Sequence, residues 1–282
     1  MRIPITMCHG IRDYGEKPLT VNLLRTFLSI AADLGFESIN YDDLAAWRIG
    51  AKKLPDRPIM FDFDHPFKNL RYECYDALSS HGFVGNAFVY TRPYDKTYDR
   101  DLPWGNDQYE HMTWKEIAEL REQGWTIGAH TVSHPNLSEL SLIDPTGDRI
   151  REELDRCNQV IRDNLGFMPQ EFAFTGTSWS SIAEAEVKKR YRFGRLWIIG
   201  SEYKVDGQSM RYAELVKVDG LDELDGGPPV AARYITEISD PYRLPSMELQ
   251  YLLHDPSDFR AYLEGALPLS SPSQTGFCCM GW

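Results

Sequence analysis

The chain alternates short apolar runs with longer amphipathic stretches. Ile3–Cys8 is the first apolar run, and Thr20 precedes a stretch whose apolar residues recur with helical spacing. The pattern predicts strands at Ile3–Cys8, Ser38–Tyr41, Pro58–Phe63, Phe83–Thr91, Trp125–His130, Phe172–Thr175, Leu196–Ile199 and Leu249–Leu253, and helices after Thr20 and over Leu70–His81, Trp114–Gln123, Asp148–Leu165, Ser181–Tyr191 and Pro256–Leu267.

Strands that alternate with helices of ten or more residues indicate βαβ units and a parallel sheet. About seven such units fit a single closed or nearly closed (β/α) barrel better than two dinucleotide-binding halves. We therefore expect an α/β protein with one barrel domain over residues 1–267 and an irregular tail over residues 268–282. No glycine-rich phosphate-binding motif follows any predicted strand.

The composition limits the kinds of molecule that the protein is expected to bind. Of the 282 residues, 42% are hydrophobic and 26% charged, and the net charge of −12 disfavours binding to nucleic acids and anionic membranes. No apolar run is long enough to span a bilayer, and no basic region precedes an apolar run at the N-terminus, so we expect a cytoplasmic protein. The oligomeric state is left open. The cysteines form no CxxC pair and are expected to be reduced thiols: Cys8, Cys74, Cys157, Cys278 and Cys279.

A pair of histidines closes the predicted strand that begins at Trp125. His130 and His134 are four residues apart in the segment HTVSHP. If this segment turns, both side chains project to one side, which is a usual arrangement for holding Zn²⁺ or another borderline metal ion. Two polar loop histidines are the competing interpretation, and the spacing alone slightly favours it.

Two aspartates alternate with phenylalanines at the end of the run PIMFDFDHP. Because side chains alternate along a strand, Asp62 and Asp64 share one face while Phe61 and Phe63 share the other. Carboxylates on one side of an apolar strand are costly unless they meet a metal ion, a cation or solvent. The carboxyl ends of barrel strands carry active sites, so we interpret this end, together with the histidine pair, as a functional site.

A further histidine, His254, closes the last predicted strand. A lone histidine at this place is more typically a structural residue. Since a base and a pair of metal ligands are already predicted, however, the role that is still missing is a general acid, and His254 is the candidate for it.

The polar loop over residues 92–112 is too long for a simple connection. Tyr94, Trp104 and Trp179 are candidates for a sugar-stacking surface, although each is more often a packing residue.

The order of these motifs resembles that of the polysaccharide deacetylases of carbohydrate esterase family four, which carry the NodB-type homology domain. The resemblance runs from Ile3 to about Leu267 and includes MCHGI, GFESINYDDLAAW, LPDRPIMFDFDHPFKN and, most specifically, MTWKEIAELREQGWTIGAHTVSHPNLSEL. It implies a single distorted (β/α) barrel of about seven strands, NodB-like. It also implies one divalent metal ion, with zinc as the first choice and cobalt, nickel or manganese as alternatives.

The resemblance carries site roles over in two registers. In the ungapped register Asp64 is the general base, and His65 joins His130 and His134 as a metal ligand at the position of the family's second aspartate. In the shifted register Asp62 is the base and Asp64 the ligand. A three-histidine site is chemically reasonable, because neutral ligands keep zinc Lewis-acidic. We favour the ungapped register because the other one needs a shift against helix spacing that otherwise fits. This choice leaves Asp62 as an outer partner or alternative base.

The third family motif departs from the pattern. The aligned segment, Phe172–Trp179, lacks the arginine that orients the base in relatives. The backbone amides of Gly176 and Thr177 are candidates for contact with an oxyanion or with the substrate. This departure leaves room for a small or atypical substrate.

The sequence thus predicts a metal-dependent hydrolase that removes an N-acyl group, expected to be acetyl, from an amino sugar or a related small N-acylated substrate. In this scheme Asp64 removes a proton from water and His254 protonates the departing amine. One alternative is a catalytically silent homologue that binds glycans or partner proteins. Another is a hydrolase of a non-sugar cyclic amide, because the fold alone does not choose among these activities.

Overall fold

Seven parallel strands close into a barrel in the computed structural model, which describes residues 1–95 and 110–268. Neighbouring strands pair in the order given below, and the last strand pairs back to the first, which completes the ring. The strands are β1 (Ile3–Cys8), β3 (Pro58–Asp64), β4 (Asn86–Val89), β5 (Thr126–Ala129), β6 (Glu171–Ala173), β8 (Phe193–Ile198) and β12 (Leu244–Glu248). The predicted (β/α) barrel is therefore confirmed.

Helices connect most of the barrel strands and cover the outside of the barrel. Thr20 and Thr113 cap the first and fourth helices through their side chains, and Thr113 forms the predicted capping box with Glu116. The helices are α1 (Val21–Asp33), α2 (Tyr41–Arg48), α3 (Glu73–Ser79), α4 (Trp114–Glu122), α5 (Leu137–Ile143), α6 (Asp148–Leu165), α7 (Ser181–Lys188), α8 (Tyr212–Leu215) and α9 (Pro256–Ala266). Within the described ranges, no helix combines the length and apolar content needed to cross a bilayer.

Short strands extend the barrel at its edges and form a second sheet. The strand β2 (Glu37–Ser38) pairs with β3, and β11 (Tyr234–Ile235) runs antiparallel to β1. Three further strands form a small sheet that the hydrophobic pattern did not predict. They are β7 (Ser178–Trp179), β9 (Glu202–Val205) and β10 (Gln208–Arg211).

The hydrophobic core has two layers, which follow from the alternation of side chains along the strands. Phe61 and Phe63 of β3 point outward and join the larger core between strands and helices. Met60 points inward and packs in a smaller core with Phe88 and Phe193 of facing strands. The other inward positions of β3, toward its carboxyl end, are the two aspartates, so the barrel interior changes from apolar to polar along the strand.

Two predicted strands are placed differently in the structure. The strand expected at Ser38–Tyr41 is limited to β2, because Asn40 caps α2 with a capping box that ends the extended segment. The strand expected at Leu249–Leu253 is wrong: these residues form turns, and the barrel strand is β12, five residues earlier. The segment LPSME is less apolar than LQYLL because its inner positions Ser246 and Glu248 are polar, so the hydrophobic pattern favoured the wrong segment.

The structure tests the prediction for three of the five cysteines, and some other predicted features lie outside the described residues. Cys8, Cys74 and Cys157 are buried free thiols, as expected. Most of the loop over residues 92–112 and nearly all of the tail over residues 268–282 lie outside the described residues, and so do Trp104, Cys278 and Cys279.

Candidate active site

A cavity of about 750 Å³ opens at the carboxyl ends of the barrel strands. Because all seven strands are parallel, side chains that follow their last residues converge here. The lining includes predicted site residues and residues that the sequence analysis did not select. Predicted ones are Asp64, His65, His134, Gly176 and Thr177, and the others include His9, Arg12, Trp197, Glu248 and Tyr251.

Three histidines form a compact cluster at the base of this cavity. One ring nitrogen from each of His65, His130 and His134 lies within 4.8 Å of the other two. His130 Nδ1 lies 2.8 Å from the carbonyl oxygen of Ala173, which fits an Nδ1–H donor and leaves Nε2 as the lone-pair nitrogen. The predicted histidine pair and His65 are therefore brought together by the fold.

The histidine cluster fits a divalent metal ion. Both ring nitrogens of His65 and Nε2 of His130 are buried without a hydrogen-bond partner, a costly state for polar atoms that hold no ligand. Burial lowers the pKa of His130 and of His134 to about 3, and lowers that of His65 well below its usual range, so the rings are neutral as metal ligands must be. Nitrogens around tetrahedral zinc lie about 3.4 Å apart, so small ring movements close the cluster.

Backbone strain is concentrated around the same cluster. His65, Thr131 and His134 have φ angles of 72°, 66° and 59°, and they are three of the five non-glycine residues with left-handed φ in the described part of the chain. Such conformations cost energy and persist where the surroundings hold them, commonly at functional sites. The strain turns the chain sharply after β3 and β5, which aims the histidine rings at one another.

Asp64 is held at the edge of the cluster by a buried arginine. One Asp64 oxygen accepts a hydrogen bond from Arg195 Nη2, and the other lies 3.8 Å from His130 Nε2. Arg195 is fully buried and comes from β8. Burial raises the pKa of Asp64 while the guanidinium opposes this rise. Phe172–Trp179 contains no arginine, and the arginine that contacts Asp64 comes from the next barrel strand.

Asp62 lies deeper in the barrel and does not line the cavity. Its carboxylate accepts hydrogen bonds from Tyr41 Oη at 2.7 Å and Asn86 Nδ2 at 2.9 Å, and Arg195 Nε lies 3.4 Å away. Burial raises the pKa of Asp62 to about 7. The two aspartates share one face as predicted, but only Asp64 faces the cavity.

Besides Asp64, a second buried acidic residue lines the cavity: Glu248, which lies at the end of β12 beside His9. Trp197 Nε1 donates a hydrogen bond to Glu248 Oε2 at 2.7 Å, and His9 Nδ1 is 3.6 Å from the same oxygen. The His9 ring is also 4.8 Å from the His65 ring. Burial raises the pKa of Glu248 to about 8. His9 therefore belongs to the same site as the histidine cluster.

Other sequence candidates lie away from the cavity. His254 Nε2 is 3.1 Å from the carbonyl oxygen of Pro18 and follows a turn, not a strand. The Trp179 ring is buried, with its Nε1 donating to Glu184 and the Arg243 guanidinium over its face. Tyr94 packs on Trp114. The catalytic role of His254 and the stacking role of the aromatic residues stay predictions.

The sequence carried only weak signals for the residues that it missed. Arg195 is a single arginine within the apolar strand FGRLWI, and Glu248 ends the strand LPSME. A buried arginine or glutamate inside a strand is unusual unless it is paired, so each was a detectable anomaly. His9 follows the first strand directly, as Asp64 ends the third.

Comparison with known proteins places this site in a family. The family model described as polysaccharide deacetylase matches residues 51–192, half of the chain, including the three clustered histidines and both aspartates. The chain belongs to the polysaccharide deacetylase family. It is accordingly a hydrolase that acts on amide bonds, and the family supports deacetylase activity. No curated protein matches the chain significantly.

Solved structures share the fold at low sequence identity. A deacetylase of Streptococcus pyogenes, PplD, solved in complex with acetate, is 13% identical with a TM-score of 0.67, over 93% of this chain and 98% of that one. IcaB from Ammonifex degensii is 11% identical with a TM-score of 0.66, over 95% and 97%. The deacetylase domain of BpsB from Bordetella bronchiseptica is 13% identical with a TM-score of 0.60, over 89% and 96%.

We expect Glu248→Gln to change the pH dependence of stability in chelator-treated protein. The pKa of Glu248 rises from 4.5 to about 8 on folding, so between these values the folded protein holds a proton that the unfolded chain has released. The free energy of unfolding of the wild type, relative to the variant, should be highest at the acidic end of this interval. It should then fall as pH rises and level off above it. Thermal unfolding across this interval measures the difference.

The matched control is Glu202→Gln, a change at an exposed glutamate of β9. It should track the wild type at every pH. A stability difference between the wild type and Glu248→Gln that does not vary with pH would contradict the prediction.

Proposed function

We propose that the chain is a metal-dependent N-deacetylase that removes acetyl groups from an N-acetylated amino sugar. One observation carries this proposal: the cluster of His65, His130 and His134 lies beside the carboxylate of Asp64, whose Oδ2 is 3.8 Å from His130 Nε2, at a common cavity. The histidines would hold the ion, zinc being the first choice. When bound, such an ion supplies Lewis acidity toward an acyl carbonyl and a water molecule.

Asp64 is the proposed general base. A base must lie within reach of the attacking water and must be ionised at working pH, with a pKa near that pH giving the best balance. Asp64 faces the cavity, its pKa is raised by burial, and its second oxygen is held by Arg195. Arg195 therefore leaves Asp64 Oδ2 as the oxygen that accepts the proton. These contacts support the ungapped register over the one with Asp62 as base.

A general acid must protonate the departing amine, and two histidines compete for this role. His254 was selected from the sequence, whereas His9 lines the cavity next to His65. Glu248 lies beside His9 Nδ1 and supports a fixed ring orientation. We propose His9 as the acid and keep His254 as the alternative for the test below. Because burial lowers the pKa of His9 well below its usual range, the proton that it gives to the amine is one that the ring takes up during the reaction, not one that it holds at rest.

The remaining cavity wall suits a sugar substrate. Trp197 and Tyr251 are paired at 6.1 Å between ring centroids, and both line the cavity. Aromatic faces of this kind stack on the apolar faces of sugar rings and have a polar edge for hydroxyl groups. Gly176 and Thr177 also line the cavity, where their backbone amides are the proposed contacts to an oxyanion or to the substrate.

The proposed activity predicts acetate release that depends on metal. Purified protein should release acetate from N-acetylglucosamine or its short oligomers, lose this activity with a chelator, and regain it with Zn²⁺ or Co²⁺. His130→Ala should remove metal uptake, which is about one ion per chain in the wild type, with little loss of fold. Ring opening of cyclic amides without acetate release would overturn the proposal, as would full activity in metal-free protein.

The ungapped register, with Asp64 as the base, predicts that two conservative variants differ in turnover. Asp64→Asn should keep the metal and lose turnover by about 10²–10⁴-fold, the usual effect of a lost general base. Asp62→Asn should keep both metal and measurable turnover, because Asp62 does not face the cavity. Metal content and acetate release, measured on variants whose circular dichroism matches the wild type, decide the register. Metal loss in Asp64→Asn would favour the shifted one.

The identity of the general acid predicts a contrast between His9→Ala and His254→Ala. Amide cleavage needs a protonated leaving group, whereas an activated acetyl ester does not. His9→Ala should therefore slow the amide substrate by at least about 10²-fold and slow the ester much less. His254→Ala should slow both substrates by a similar, small factor. The reverse pattern would assign the acid to His254.

A further inference from the structure

We propose that Glu153, a buried residue of α6, is a positioning residue that fixes the loop carrying His130 and His134. This inference rests on the metal site of the proposed function. Glu153 is only 2% exposed and does not line the cavity, so it acts on the ligands through the backbone between them. Neither the motif spacing nor the hydrophobic pattern singles it out.

The contacts of Glu153 converge on the middle of the histidine loop. The backbone N–H groups of Val132 and Ser133 both donate to Glu153 Oε2 at 2.9 Å, and the Ser133 hydroxyl donates to Oε1. Val132 and Ser133 are two of the three residues that separate His130 from His134. One carboxylate therefore holds most of the short segment that sets the distance between the two ligands.

The third residue of the segment, Thr131, completes the loop from within. Its hydroxyl accepts a hydrogen bond from the backbone N–H of His134 at 2.9 Å. Thr131 and His134 both have left-handed φ angles, so the loop needs external contacts to keep this shape. Two carbonyl groups of the loop also accept hydrogen bonds. Thr91 N donates to Thr131 O at 3.1 Å, and Arg92 N donates to Val132 O at 2.9 Å.

Helix α6 also holds the segment that pairs with this loop. Arg156, one helical turn after Glu153, makes a bidentate contact with Asp95, at 2.5 Å from Nε and 3.0 Å from Nη2. Asp95 follows closely after Thr91 and Arg92, whose backbone N–H groups bond to the loop. Glu153 and Arg156 thus hold the loop and its partner segment against a single rigid helix.

The three donors are matched better by a carboxylate than by an amide. An ionised carboxylate has two acceptor oxygens and accepts bonds from both N–H groups and the hydroxyl, and such charge-assisted bonds are strong. Glutamine has the same shape, but its one oxygen can accept only from the two N–H groups, and its NH₂ group meets the Ser133 hydroxyl, which must turn from donor to acceptor. Glu153→Gln therefore removes the negative charge and the hydroxyl bond to Oε1 while it preserves the volume of the side chain.

The test measures metal binding and loop order separately. Zinc affinity is measured by competition with a chromophoric chelator, and Co²⁺ absorption reports the ligand geometry. We expect Glu153→Gln, which weakens the outer partner without deleting it, to weaken zinc binding by about 10-fold, the lower end of the usual effect of losing such a partner. In metal-free protein, amide hydrogen exchange at residues 132 and 133 should become faster. Ser133→Ala, which removes one of the three contacts, should give a smaller change in both measurements.

The matched control is Glu186→Gln on α7. Glu186 is a comparably buried helical glutamate whose carboxylate bonds to Lys189 and Arg190 instead of the histidine loop, so this variant should bind zinc like the wild type. Wild-type affinity in folded Glu153→Gln, or equal weakening in both variants, would overturn the role of Glu153 while the proposed function stands. Wild-type protein that takes up neither Zn²⁺ nor Co²⁺ would overturn both. If Glu153→Gln does not fold, Ser133→Ala decides, and wild-type zinc affinity and exchange there overturn the inference.

Discussion

The buried guanidinium of Arg195 is the interaction on which the site depends. It contacts Asp64 and lies 3.4 Å from Asp62, and all three groups are nearly inaccessible to solvent. Removing one member of such a group leaves an uncompensated buried charge, which typically costs about 3–5 kcal/mol. Because Arg195 belongs to β8 and the aspartates to β3, the contact joins two walls of the barrel that do not pair directly. The position of Asp64, the proposed base, is thus coupled to closure of the fold.

The barrel interior is divided along its axis into an apolar and a polar part. Inward positions near the start of the strands pack as hydrophobic core, and inward positions near their carboxyl ends carry charge or hydrogen-bonding groups. The succession is Met60, Asp62 and Asp64 in β3, Phe193, Arg195 and Trp197 in β8, and Leu244, Ser246 and Glu248 in β12. The apolar part stabilises the ring, and the polar part is held in place because the ring is closed.

The parts of the fold that follow local rules could be predicted from the sequence. Outward faces of strands and inner faces of helices are apolar with regular periods, so the barrel and most of its elements were identified. His65, His130 and His134 could be proposed together because the family resemblance supplied an order of motifs. The structure brings one nitrogen of each ring within 4.8 Å of the other two. The small sheet of β7, β9 and β10 was not predicted, since two- to four-residue strands leave little periodicity.

The errors at the site share one physical cause. Inner positions of β12 are polar where the strand reaches the cavity, so LPSME has a weaker strand pattern than the apolar turn that follows it. Placing the strand too late made His254 the apparent residue at the strand end, where Glu248 in fact lies beside His9. Arg195 was passed over because a single charge in an apolar strand is only an anomaly. Its role cannot be inferred until its partners on another strand are known. Residues that contact each other only across a closed barrel have no characteristic spacing in the sequence. In this site, such residues set the charge and the position of the groups that line the cavity.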